Sequence, residues 1–176
     1  ATNASGARSF RYGDTRRHVL RLRVVLVDGR VLDVRRGDPV DFPVPTIPIP
    51  QTTKHTGGYR LKPGMDWIDL FTGSEGTLGV ITEVALRLYG IPQAIIAGSC
   101  PFPSIEAACN TTIATIQFGI PIARIELVDV EHVRAFNAYS KTALAETHTL
   151  FVEFHGTAAG AAEQAALFET IASDNE

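Results

Sequence analysis

Glycines fall at every third position in GSEGTLGVIT, residues 73–82, and the chain then runs straight into a β pattern. Gly73, Gly76 and Gly79 carry no Cβ, so the backbone can take φ > 0 and another molecule can come within hydrogen-bonding distance of main-chain N–H and C=O groups. The chemistry open to such a stretch is gripping a ligand with backbone atoms. An ordinary turn before a strand is the simpler account of three glycines taken alone. Glu75 adds a carboxylate that can accept N–H bonds and hold the loop in shape, or bond a ligand hydroxyl.

Two alternatives fall away on spacing. Neither GxGxxG nor GxxxxGK[ST] occurs anywhere in the chain, so the loop is neither a Rossmann nor a Walker fingerprint. The residues after the loop are β-branched and period-two: Val80, Thr82, Val84, Leu86 and Leu88 alternate with Ile81, Glu83, Ala85, Arg87 and Tyr89. That is a strand, so a phosphate site at a helix N-terminus is not expected.

The loop must be held by the elements before it. From Arg17 the pattern is β, with Val19 to Val27 running up to Asp28-Gly29 and Val31, Leu32 and Val34 coming next. Asp-Gly between apolar runs predicts a hairpin with φ > 0 at both turn positions. Arg16, Arg17, Arg21, Arg23, Arg30, Arg35 and Arg36 cluster here, and a solvated sheet face explains them more simply than a phosphate site. Prolines at 39, 43, 45, 48 and 50 exclude helix and central strand from residues 37–51, leaving an extended loop. In TKHTGGYRL, residues 53–61, Lys54, His55 and Tyr59 could face a ligand, though simple loop side chains are the commoner case. Pro63-Gly64 marks a turn.

Gly90 to Pro92 closes the strand and marks a domain boundary. Strand and helix then alternate three times. Residues 95–99 read as a strand, Ser104 caps a helix that stops at Gly119, and residues 123–128 are a strand. Asp129 caps a helix through about Tyr139, residues 150–154 are a strand, and Thr157 begins a helix with Ala161, Ala165, Phe168 and Ala172 on one face. This predicts helices covering one side of a small sheet.

A chain of 176 residues with 45% hydrophobic and 20% charged residues can bury a real core. Its formal charge of −3 offers no long-range attraction for nucleic acid, and no apolar run is long enough for a transmembrane segment. Cys100 and Cys109 suit neither a disulfide scaffold nor a zinc site and read as buried, reduced thiols. His132 and His155 lack metal-ligand spacing, so no metal is expected.

GSEGTLGVITEVALRL, preceded by TKHTGGYRLK and IDLF, resembles the flavin-binding segment of the FAD-linked oxidases related to vanillyl-alcohol oxidase and p-cresol methylhydroxylase. The branch it is most similar to holds D-lactate dehydrogenases, the glycolate oxidase flavin subunit and D-2-hydroxyglutarate dehydrogenases. ATNASG, residues 1–6, resembles a second flavin-contacting segment, and PFPSIEAA, ARIELVD and LFVEFHG resemble the start of the family's cap domain.

The resemblance implies an α+β fold, with residues 1–91 the latter part of a p-cresol methylhydroxylase-type FAD-binding domain and residues 92–176 the first part of the substrate (cap) domain. It implies FAD as cofactor, with Gly73, Ser74, Glu75, Gly76, Thr77, Leu78, Gly79, Val80 and Ile81 lying against its adenosine half and contacting adenine, ribose or pyrophosphate, and with Thr2, Asn3, Ala4 and Ser5 supplying other contacts. This makes Glu75 a ribose ligand or loop brace rather than a catalytic base, and it assigns no catalytic residue to the chain. The implied reaction is oxidation of a small 2-hydroxy acid by hydride transfer to flavin, with the electron acceptor unspecified. The rival readings are the same fold acting on another substrate, or a non-catalytic flavin-fold subunit. Beginning inside a motif and without Met, the chain is expected to be a fragment, inactive and weak in FAD binding by itself. The expected location is cytoplasmic, with peripheral membrane association left open.

Overall fold

The computed structural model describes residues 2–45, 47, 48 and 57–175. The elements run α1 (Ser9–Tyr12), α2 (Thr15–His18), β1 (Val19–Val25), β2 (Val31–Arg35), α3 (Trp67–Phe71), β3 (Val80–Leu86), β4 (Ala94–Phe102), α4 (Ile105–Gln117), β5 (Arg124–Val128), α5 (Val130–Ser140), β6 (His148–Gly156) and α6 (Ala158–Ser173). Two compact units result. One holds the chain up to Gly6 and Gly13–Tyr89; the other holds Ala7–Tyr12 and the chain from Gly90 onward. The α+β class expected from the sequence is what is found. Among the described residues no helix is long and apolar enough to cross a membrane.

In the first unit the sheet order is β2-β1-β3, antiparallel throughout. Val19, Leu22 and Val24 of β1 and Val34 of β2 bury one face against Ile68 and Phe71 of α3. Five residues are too few for a helix to stand by propensity. Instead α3 is fixed by burial and by its cap, Asp66, whose carboxylate accepts from the Asp69 N–H at 2.8 Å. The other sheet face is charged: Arg21 pairs with Asp33 and Glu83, and Arg23 pairs with Glu83. This is the solvated face expected for the arginines, and such exposed pairs contribute little to stability.

Two details differ from the sequence reading. The hairpin strand ends at Val25, and only Gly29, not Asp28, takes a positive φ, of 82°. The Leu26 N–H donates to the Arg30 carbonyl at 2.9 Å. That makes a three-residue loop with glycine in the left-handed position, which suits the strand twist as well as the two-residue form does. Strand β3 stops at Leu86, and an irregularity in its pairing with β1 changes the phase of its alternation. Ile81 lies across from Val24 and Val84 from Leu22, which simple period-two spacing would place on opposite faces.

In the second unit the order is β4-β6-β5, also antiparallel. Leu150, Val152 and Phe154 of the central strand pack with Phe102, Ala108, Ala161, Phe168 and Ala172, so α4 and α6 cover one face. Each helix begins at the residue the sequence marks. The side chains of Ser104, Asp129 and Thr157 accept from the N–H of Ala107, His132 and Gly160. Gly119, with φ 73°, follows α4. One expectation fails. Cys109 is exposed rather than buried, because α4 turns Ala108, Thr111 and Thr115 inward and leaves position 109 outside; Cys100 is half-buried, and neither cysteine is in a disulfide.

Candidate functional site

The glycine loop leaves the C-terminal end of α3. The Ser74 N–H donates to the Phe71 carbonyl at 3.2 Å, and the Thr77 N–H and hydroxyl both donate to the Ser74 carbonyl, at 3.0 and 2.6 Å. The hydroxyls of Tyr59 and Thr77 bond each other. Gly73, Glu75, Gly76 and Gly79 all have positive φ, at 97°, 52°, 85° and 154°.

The three glycines answer three different constraints. A Cβ on Gly73 would lie 3.4 Å from Arg16 Nη2 and 3.6 Å from Asn3 Cβ. One on Gly79 would strike the Val25 carbonyl oxygen at 2.7 Å and Val24 Cγ1 at 2.8 Å, so that glycine serves packing against β1. One on Gly76 would meet none of the described residues within 4 Å. Gly73 and Ser74 are buried, Glu75, Gly76 and Thr77 are exposed, and Leu78, Gly79 and Ile81 are half-buried, with Val80 outward. Within the loop, Glu75 and Gly76 combine left-handed backbone with exposure.

The amino-terminal segment lies against this loop. Asn3 is buried; its Nδ2 donates to Asp14 Oδ2 at 2.9 Å and its Oδ1 accepts the Arg16 N–H at 2.9 Å. The Ala4 carbonyl accepts from both the N–H and the hydroxyl of Thr15. Thr2 and Ala4 are exposed and Ser5 is half-buried. Arg16 is a correction to the sequence reading: it is 6% exposed, not part of the solvated face. Its guanidinium donates to the carbonyls of Asp69 and Thr72, the latter at 2.6 Å. Burial lowers its pKa, and the nearby Asp69 and Asp14 carboxylates oppose that effect. Lys54 and His55, offered by the sequence as ligand-facing, lie outside the described residues, as does Ala1.

The second unit holds a polar cluster that sequence reasoning missed. Beneath α1, on the sheet face away from α4 and α6, His155 and Glu153 are buried. His155 Nδ1 lies 2.8 Å from the Tyr12 hydroxyl and its Nε2 lies 3.2 Å from Glu153 Oε2. Arg8 Nε donates to the same Glu153 oxygen at 2.8 Å, and Arg11 donates to the carbonyls of Pro121 and His155. The Arg8 bond is the main cause that holds the Glu153 carboxyl below its ordinary range; burial works against it, and the His155 bond adds to the lowering. An ionised Glu153 accepts, so Nε2 carries a proton, and in the neutral ring Nδ1 accepts from Tyr12. The available signal was Glu153 and His155 at i and i+2, on one strand face. Among the described residues no group of His, Cys, Asp and Glu is placed to hold a metal ion.

The lowered Glu153 pKa fixes a sign. A carboxyl whose folded pKa lies below its unfolded value contributes stability that is fully present above the unfolded value and is lost as pH falls through the folded one. Thermal melts of wild type and Glu153→Gln, run from neutral pH down through the carboxylate range, should differ most at neutral pH and converge in acid. A gap that stays constant with pH would show that Glu153 does not titrate against this cluster.

Residues 91–176 match the family model of the FAD linked oxidases, C-terminal domain. The chain is 40% identical over 180 residues to a Danio rerio protein named "Probable D-lactate dehydrogenase, mitochondrial", covering 99% of this chain and 32% of that protein. It is 39% identical to the Arabidopsis thaliana "D-lactate dehydrogenase [cytochrome], mitochondrial", over 98% of this chain and 27% of the relative. With "Glycolate oxidase subunit GlcD" of Bacillus subtilis the identity is 30%, over 99% and 31%. The chain thus spans about a third of the length of these relatives. A solved structure of an alkyldihydroxyacetonephosphate synthase superimposes with a TM-score of 0.69 at 21% identity, over 99% of this chain and 30% of that one, which speaks to fold.

Proposed function

Because residues 91–176 belong to the C-terminal domain family of the FAD-linked oxidases, we propose that the chain is a portion of an FAD-dependent oxidoreductase that oxidises a small 2-hydroxy acid such as D-lactate or glycolate. In this reading residues 1–91, apart from the Ala7–Tyr12 excursion, are the latter part of a p-cresol methylhydroxylase-type flavin domain, and residues 92–176 open the cap domain. FAD, when bound, supplies the hydride-accepting chemistry.

One observation carries the reading: the two segments that resemble flavin contacts, separated by about seventy residues of sequence, adjoin in the fold, with Asn3 Cβ 3.6 Å from the place a Gly73 Cβ would occupy. The residues suit a dinucleotide. Glu75 and Gly76 present main chain in a left-handed conformation beside open space, where N–H and C=O groups can be approached closely. Thr2, Ala4 and Ser5 leave side or main chain accessible on the neighbouring segment. Asn3, Gly73 and Gly79 are committed to holding that arrangement, and Leu78 and Ile81 root it in the apolar core. No side chain of the chain is assigned the substrate's hydroxyl proton, and the electron acceptor is left open. The names of the first two relatives place them in mitochondria; a cytoplasmic or membrane-peripheral location for this chain stays within the proposal.

The test uses the full-length protein. It should purify with flavin absorbance at one equivalent and reduce an artificial dye with D-lactate, glycolate or D-2-hydroxyglutarate. A protein that takes up no FAD, or that reduces dye only with phenols or sugars, would overturn the proposal.

A further inference from the structure

Arg16 does something in the first unit that neither its sequence context nor the flavin reading requires. Its N–H donates to Asn3 Oδ1, its carbonyl accepts from Arg36 Nη2 at 2.6 Å, and its guanidinium donates to the Asp69 and Thr72 carbonyls. Those two carbonyls belong to the last turn of α3 and its C-cap, where no intrahelical donor remains. One residue therefore ties the segment at Asn3, the end of α3 and the start of the Gly73 loop together, and Arg16 Nη2 sits beside Gly73 itself.

The arrangement is costly. A guanidinium is taken out of water; among the described residues its nearest carboxylate contact, Asp69 Oδ1, is 3.7 Å away, and its Nε is buried with no hydrogen-bond partner. Buried charge of this kind is a poor source of stability. Its contribution is geometric: the planar fork of arginine donates to two carbonyls in fixed directions, which a single ammonium on a lysine cannot do. A buried, incompletely bonded polar group next to a loop with open backbone is where a positioning role is expected.

We propose that Arg16 is the positioning residue that holds the segment around Asn3 and the glycine loop in register for the dinucleotide; this rests on the FAD reading. The test is made in the full-length flavoprotein with Arg16→Lys, which keeps charge and length and removes the fork. FAD dissociation constants are measured by fluorescence titration in the cold, on apoprotein shown by circular dichroism to be folded, beside melting curves of the same apoprotein. R16K should weaken FAD binding by about tenfold or more, with the apoprotein melt nearly unchanged. In R16A, added methylguanidinium should restore part of the lost FAD affinity and methylammonium should not.

If R16K binds FAD within about twofold of wild type, Arg16 is a structural residue only and the inference is overturned, whatever its melting temperature. Failure of the flavin reading looks different: the wild-type protein itself would not bind FAD.

Discussion

Gly79→Ala is expected to destabilise the first unit by about 2–3 kcal/mol. The added Cβ would lie 2.7 Å from the Val25 carbonyl oxygen and 2.8 Å from Val24 Cγ1. Neither atom is the free end of a flexible chain. Val24 is fully buried, and Val24 and Val25 are paired with Ile81 and Val80. Relief requires β1 and β3 to separate where they begin to pair, and the φ of 154° adds strain that an alanine carries and glycine does not. Hydrogen exchange should show faster exchange at the amides of residues 80–86 while β4 and β6 are unchanged. Gly76→Ala is the matched control. Its Cβ enters open space, so only the positive φ is penalised, at about 1 kcal/mol. Its larger effect is expected in FAD titration of the full-length protein. If the two variants destabilise equally, the division of the loop into a packed glycine and an open one is wrong.

That division marks the limit of what the sequence can say about this loop. Spacing shows three glycines and a strand after them, but which glycine meets protein and which meets solvent depends on where Val24 and Val25 lie. The helices of the second unit were legible because each carries its own start signal: Ser104, Asp129 and Thr157 bond the N–H three residues ahead, a local contact independent of the rest of the fold. Helix α3 carries a capping Asp66 too, yet at five residues it shows no period, and its apolar side is meaningful only against β1 and β2. Arg16 was illegible for the same reason. One arginine more in a basic stretch resembles its neighbours, and its burial follows from tertiary placement of the Asp69 and Thr72 carbonyls. The pairing of Tyr12 with His155 spans 143 residues and leaves no trace in either local pattern.

Phe154→Ala should cost the second unit about 3–5 kcal/mol, a large share of the roughly 5–15 kcal/mol available to a domain. Phe154 is 2% exposed on the central strand, across from Ile96, with its ring centroid 5.7 Å from that of Phe168. Truncation removes the ring contact that seats α6 on the sheet and leaves a cavity that interdigitated neighbours can fill only in part. The position also bears on the polar face, because its chain neighbours Glu153 and His155 point the other way and hold Tyr12 and Arg8. A strand that loses its anchor on one face loses angular precision on the other. Urea unfolding should therefore show a lower midpoint, and hydrogen exchange should quicken in β6 and in residues 9–12, while residues 19–25 keep their protection. Phe118→Ala deletes the same side chain at a site 77% exposed and should stay within about 0.5 kcal/mol of wild type. Equal losses from the two phenylalanines would mean that burial in this core, and the support it gives to Glu153 and His155, does not govern the second unit's stability.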